Sequence, residues 1–251
     1  MPTTMVEIPT PGGTADAFAA FPDDGERHPA VLLYMDVIGL RPVLYGMAEQ
    51  LAAHGYYVLV PNVFHRHGAA PVVEIPDLTV AENREPFFGR VMPLLREFTA
   101  EQAVSDAGAY LDFLAAQPEV RPGPVGVVGY CFGGILAVRT AAANPERVAA
   151  VAAFHPGSLA TGDSDSPHLL APNLAAECYF GFPEEDDAMP PESVQRLHSA
   201  LDAAGVAYAS EVYPDTVHGF TMSDTAAFSA SGLQRHWDRL LPLLERTLAT
   251  G

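Results

Sequence analysis

The chain has 251 residues, 31 acidic against 13 basic, and a formal net charge of −18, with 49% of its residues hydrophobic. This length suits one α/β domain with a large buried core. The acidic balance excludes nucleic acid and anionic membrane as partners, because both are bound through clustered positive charge. Every basic residue is arginine, so lysine Schiff-base chemistry is excluded.

Two cysteines, Cys131 and Cys178, do not make a disulfide framework in a chain of this length. No Cys/His spacing matches a structural zinc site. The first residues carry neither the basic head nor the apolar core of a signal peptide, and no segment approaches the ~20 apolar residues of a membrane span. A cytoplasmic protein is expected.

Residues 4–8 and 15–21 read as a hairpin around the turn chemistry of Pro9-Thr10-Pro11-Gly12-Gly13. Residues 30–35 are an unbroken apolar run suited to a strand buried on both faces, ending at Asp36. Residues 42–54 have helical periodicity, stopped by Gly55, and 56–60 read as the next parallel strand. Residues 61–100, with prolines at 71, 76, 86 and 93, are expected to be an irregular segment that caps or lines a site. Thr99 and Gln102 have the spacing of a capping box for a helix reaching Gln117. Strands are expected at 125–130, 148–154, 177–182 and 207–213, with helices from Phe132 and over 191–205. A closing segment covers 225–248. The whole is read as a single domain over 1–251.

A hairpin followed by alternating strands and helices predicts a mostly parallel, doubly wound α/β sheet with helices on both faces. In such sheets the functional side chains gather beyond the carboxyl ends of the strands. The polar residues directly after predicted strands are Asp36, Cys131, His155, Asp186 or Asp187, and His218. Cys131 lies in Gly129-Tyr130-Cys131-Phe132-Gly133-Gly134, between an apolar strand and an Ala-rich helix. This is the pattern of a nucleophile elbow, whose flanking residues must be very small. A thiol nucleophile needs a base, and an imidazole base needs a carboxylate to fix its tautomer. Cys131, an aspartate at 186 or 187, and His218 supply these roles in the chain order of an α/β-hydrolase. The backbone N–H groups of Phe132 and Val37 are the expected oxyanion donors.

The Gly-Tyr-Cys-x-Gly-Gly elbow, the Asp186-Asp187-Ala188-Met189-Pro190 loop and the His218-Gly219-Phe220 step resemble the dienelactone hydrolase family. The resemblance implies an α/β-hydrolase fold and a Cys131-His218-Asp186 triad. It also implies a small lactone or ester substrate and no cofactor or metal, with carboxymethylenebutenolide hydrolysis as the founding activity. A monomer or homodimer is expected. Asp186, four residues before the proline, matches the family aspartate better than Asp187. Asp36 stands where the family has a glutamate near the thiol, and Met222 where it has one of two arginines that grip a substrate carboxylate. The other arginine falls at Arg84 or Arg90. Arg41, beside the expected oxyanion hole, is a third cation that could face the cleft, and Tyr130 is expected in packing or pocket lining.

Other residues have plainer readings. Cys178, inside a strand, reads as a small core residue. His65 and His67 read as surface or cap residues rather than metal ligands, and His155 as cleft wall. A thiol sensor or ligand-binding module on the same fold is the alternative to a hydrolase, and the complete triad stands against it.

Overall fold

Strands β1 (Thr3–Thr10) and β2 (Gly13–Ala20) form the N-terminal hairpin, paired antiparallel from Thr3 opposite Ala20 to Thr10 opposite Gly13. In the computed structural model, which describes residues 2–249, the chain continues through β3 (Ala30–Tyr34), α1 (Pro42–Ala53), β4 (Tyr57–Pro61), α2 (Ala81–Glu97) and α3 (Ala100–Ala116). It then forms β5 (Val125–Tyr130), α4 (Phe132–Ala143), β6 (Val148–Phe154), β7 (Glu177–Glu185), α5 (Pro191–Ala204), β8 (Tyr208–Val217) and α6 (Ala230–Leu248).

All eight strands make one sheet in the order β1-β2-β4-β3-β5-β6-β7-β8. Only the β1/β2 and β2/β4 pairs are antiparallel; the remaining pairs are parallel, as the alternating pattern predicts. From β3 the chain crosses to β4 on one side, and from β5 it crosses to β6 on the other. The sheet therefore changes winding direction between β3 and β5, and a crevice opens beyond their carboxyl ends.

Strands β3, β4 and β5 are buried along their whole length, which accounts for their unbroken apolar composition. Positions 126 and 129 of β5 differ by an odd number and so point to opposite faces. A Cβ on Gly126 would meet Leu244 of α6, whereas one on Gly129 would meet the backbone of Gly133 in α4. Helices α4 and α6 therefore cover opposite faces of the sheet.

The capping box at the start of α3 is present in full: Gln102 N–H donates to Thr99 Oγ1, and Thr99 N–H to Gln102 Oε1. Two expectations need correction. The segment 61–100 is not irregular throughout: residues 81–97 form α2, which runs through both Pro86 and Pro93. Each proline removes one intrahelical bond, yet Phe87 and Val91, one turn apart, bury an apolar edge that holds the helix down. Strands β7 and β8 also run beyond their expected ends at Phe182 and Tyr213, because Glu185 pairs with Val217 after a register shift. Their extra residues deliver Asp186 and His218 side by side. Among the described residues, no helix is long and apolar enough to cross a membrane.

Candidate active site

Five polar residues each follow a strand end: Asp36 after β3, Cys131 after β5, His155 after β6, Asp186 after β7 and His218 after β8. Cys131 has φ 52° and ψ −118°, a conformation that non-glycine residues rarely adopt. Its N–H donates to Phe154 O at 3.2 Å, and its carbonyl accepts from Gly134 N at 3.0 Å and Gly157 N at 3.2 Å. Glycine at 129 and 133 permits the turn: an added Cβ would lie 2.0 Å from Gly133 O and 2.6 Å from Met35 O, respectively. The result is a half-buried thiol held at the N-terminus of α4.

His218 Nδ1 lies 2.8 Å from Asp186 Oδ2, and Asp186 Oδ1 accepts from Ala188 N at 2.9 Å. The Asp186 side chain is 4% exposed against 32% for His218, so the carboxylate is fixed behind an imidazole that faces the cavity. Asp187 is exposed and takes no part. Burial opposes the imidazolium. The Asp186 hydrogen bond and then the Cys131 sulfur outweigh burial, raising the His218 pKa to about 10. Behind His218, His155 is fully buried, with Nε2 2.7 Å from Thr221 Oγ1 and its ring against His218 and Phe220. Burial, followed by the neighbouring His218, holds it well below the usual histidine range, so it stays neutral as cleft wall.

Val37 directly follows Asp36, and Phe132 is the first residue of α4. Among the described residues neither backbone N–H has a hydrogen-bond partner. Both remain available where charge would develop on a carbonyl oxygen.

A cavity of about 360 Å³ opens over Cys131 and His218. Its walls include Val37, Ile38, Leu78, Phe88, Met222 and Ala227. Arg84 lines it and Arg90 does not; Arg90 faces a separate groove with Glu74 and Pro76. The two arginines are six residues apart on α2, which at about 100° per residue separates them by roughly 120° around the helix. Arg84 is itself partly engaged, donating Nε to Leu78 O and Nη2 to Thr79 O, both at 3.1 Å.

Two other expected substrate contacts are placed elsewhere. Tyr130 is fully buried under α6, its hydroxyl 2.9 Å from His236 Nε2, because it shares the face of β5 that Gly126 presents to that helix. It belongs to the core and not to the pocket lining. Arg41 is 3% exposed and does not reach the cavity. Its Nη1 and Nη2 pair with Asp36 at 2.6 and 2.9 Å, and its Nε pairs with Asp224 at 2.6 Å. Asp36 lines the cavity, but its carboxylate is committed to Arg41 and to Ile38 N–H at 3.0 Å. Sequence reasoning missed Leu78 and Phe88, whose only signal was their apolar character within the capping segment, and Asp224, which lies 183 residues from Arg41.

Cys178 is buried, and burial pushes its thiol up to about 12, consistent with a core role. His65 is buried with Nε2 3.0 Å from Thr10 Oγ1, and His67 lies 3.8 Å from Glu97.

A family model described as the dienelactone hydrolase family matches residues 15–248. A candidate carboxymethylenebutenolidase of Synechocystis sp. is 26% identical over 250 residues, covering 98% of this chain and 97% of its own length. A candidate carboxymethylenebutenolidase of Methylorubrum extorquens is 27% identical over 240 residues, covering 94% of this chain and 78% of its own. The crystal structure of a candidate dienelactone hydrolase from Klebsiella pneumoniae superposes with a TM-score of 0.84 at 21% identity, over 98% of both chains. That likeness extends the shared fold to nearly every element.

Proposed function

Because the chain belongs to the dienelactone hydrolase family, we propose that it hydrolyses a small lactone or carboxylic ester through Cys131, His218 and Asp186 and a thioester intermediate. The observation that carries this reading is the 2.8 Å Asp186–His218 hydrogen bond set beside the strained, half-buried Cys131 at a helix N-terminus. A sensor or binding module needs a reactive thiol but no carboxylate-oriented base.

Cys131 gives its proton to His218 Nε2, whose raised pKa favours the imidazolium, and the thiolate Sγ attacks the carbonyl carbon. Asp186 holds Nδ1–H and stabilises the imidazolium. The carbonyl oxygen becomes an oxyanion facing the N–H groups of Phe132 and Val37. On collapse the ester C–O bond breaks, the leaving alkoxide takes the proton from His218, and the acyl group stays on sulfur. Water then attacks the thioester and gives a proton to His218, and the C–S bond breaks to release the acid and the thiol. In a lactone the leaving alkoxide remains tethered to the acyl chain.

The apolar walls and a single partly engaged arginine favour compact, mainly apolar substrates. With Met222 at the second arginine's place, a two-arginine grip on a carboxylate is absent from this cavity. The test is turnover of p-nitrophenyl acetate and a panel of small esters and enol-lactones by wild type and Cys131→Ala. Wild-type turnover abolished in Cys131→Ala supports the reading. Turnover that survives the substitution, or a wild type inert across the panel, overturns it.

A further inference from the structure

Arg41 has five guanidinium N–H groups, and the structure gives all five an acceptor. Nη1 donates to Asp36 Oδ1 at 2.6 Å and to Gly39 O at 3.0 Å. Nη2 donates to Asp36 Oδ2 at 2.9 Å and to Asp224 Oδ1 at 3.3 Å, and Nε donates to Asp224 Oδ2 at 2.6 Å. A guanidinium so occupied has no donor left for substrate. Its two carboxylate partners lie on different loops. Asp36, near the start of the β3–α1 loop, also accepts from Ile38 N–H at 3.0 Å on Oδ1 and from Gly39 N–H at 3.2 Å on its carbonyl, which together fix the peptides on both sides of Val37. Asp224 lies in the run of turns that starts at His218, closed by Phe220 N–H to Val217 O, Met222 N–H to Gly219 O and Thr225 N–H to Met222 O. The next residue, Thr225, bridges to Leu78 of the capping segment, whose carbonyl anchors Arg84. Arg41 is therefore a buried joint between the loop bearing an expected oxyanion donor and the loop bearing the expected base.

We propose that Arg41 is a positioning residue, which through Asp36 and Asp224 holds the Val37 N–H in register with His218. This rests on the hydrolase reading. It also gives Asp36 a different task from contact with the thiol: Asp36 is the near anchor of the clamp. The geometry suits a transition-state role, because a small displacement of Val37 weakens an interaction made only when the oxyanion forms, while the apolar cavity that holds the ground-state ester is unchanged.

Asp224 has a 37% exposed side chain, so it can be substituted with little risk to folding. Removal of a whole oxyanion donor slows such reactions by roughly 10²–10³, and loosening one anchor of it predicts roughly tenfold. The experiment compares two reactions of Cys131 in wild type, Asp224→Ala, Asp224→Asn and Arg41→Lys: acylation by p-nitrophenyl acetate, which develops an oxyanion, and alkylation by iodoacetamide, which does not. Asp224→Ala is expected to slow acylation about tenfold through kcat with KM little changed, with alkylation held within about twofold, because alkylation develops no oxyanion for the Val37 N–H to stabilise. Asp224→Asn, which keeps one acceptor for Nε, falls between Asp224→Ala and wild type. Arg41→Lys, which cannot bridge two carboxylates in bidentate fashion, shows the same split, more strongly.

Acylation at the wild-type rate in Asp224→Ala overturns the proposal, and so does a parallel fall of acylation and alkylation. A wild type that takes no acyl group overturns the hydrolase reading and this proposal with it. An acylated wild type matched by its variants overturns the Arg41 role alone.

Discussion

Replacing Asp186 with asparagine removes one charge and changes the shape of the loop hardly at all. Asp186 Oδ1 accepts from Ala188 N at 2.9 Å, and Oδ2 faces His218 Nδ1 at 2.8 Å. If the new amide oxygen keeps the Ala188 bond, its NH₂ group faces Nδ1. His218 must then carry its proton on Nε2, where it cannot receive the one on Cys131. A hydrogen bond to a charged group contributes about 1.5–3 kcal/mol, which at ~1.36 kcal/mol per decade is roughly 10- to 10²-fold in rate. The wrong tautomer extends the loss toward the ~10⁴ seen when a serine-protease aspartate is so changed. The assay is kcat/KM for p-nitrophenyl acetate across pH, paired with urea unfolding.

The pH dependence of the same variant has a definite sign. His218 is raised from 6.5 to about 10: burial works against its charge, and the Asp186 bond and then Cys131 outweigh burial. The stabilisation is therefore fully present below pH 6.5 and is lost as pH rises through about 10. Asp186→Asn should be less stable than wild type near pH 6, and the gap should narrow as pH approaches 10. A folded Asp186→Asn enzyme with kcat/KM within about threefold of wild type would refute the orienting role. So would a stability gap that widens with pH.

Gly133→Ala places a Cβ 2.6 Å from Met35 O and 2.7 Å from Tyr34 O, both backbone atoms at the end of β3. It should destabilise the fold by about 1–3 kcal/mol in urea unfolding. Tyr130→Phe strips His236 Nε2 of its partner while Nδ1 already has none, and should lower stability by about 1–3 kcal/mol with KM unchanged. Arg84→Ala should change KM for carboxylate-bearing lactones more than for neutral esters, whereas Arg90→Ala, in a separate groove, should change neither. In the wild type, neutral esters should compete well with the anionic lactones, as a competition assay between matched pairs would show.

The parts of this molecule that local physics determines could be read from the chain. The elbow announces itself because two glycines must flank a tip residue at φ 52°, and the Thr99 capping box needs only four residues. The chain order of Cys131, Asp186 and His218 was legible because each falls at or shortly after the carboxyl end of an expected strand. Helix α2 was not, since its prolines read as breakers and only Phe87 and Val91 are buried along 17 residues, too few to show a period. The extra length of β7 and β8 was hidden by Pro183 and Pro214, which fall inside strands that continue past them. Packing and pocket lining could not be separated for Tyr130 because the strand's alternation, which sends it under α6, is masked when every residue of β5 is buried. The Arg41 clamp has no local signature, because its far anchor is fixed only by tertiary folding.

The central claim is that Cys131 carries the acyl group. Wild-type enzyme mixed with p-nitrophenyl acetate, quenched in acid within the first turnovers, digested and mapped by mass spectrometry should carry one acetyl group, on the peptide containing Cys131 and labile to hydroxylamine at neutral pH. Acetylation of a serine or histidine instead, or steady turnover with Cys131 unmodified and Cys131→Ala still active, would contradict it.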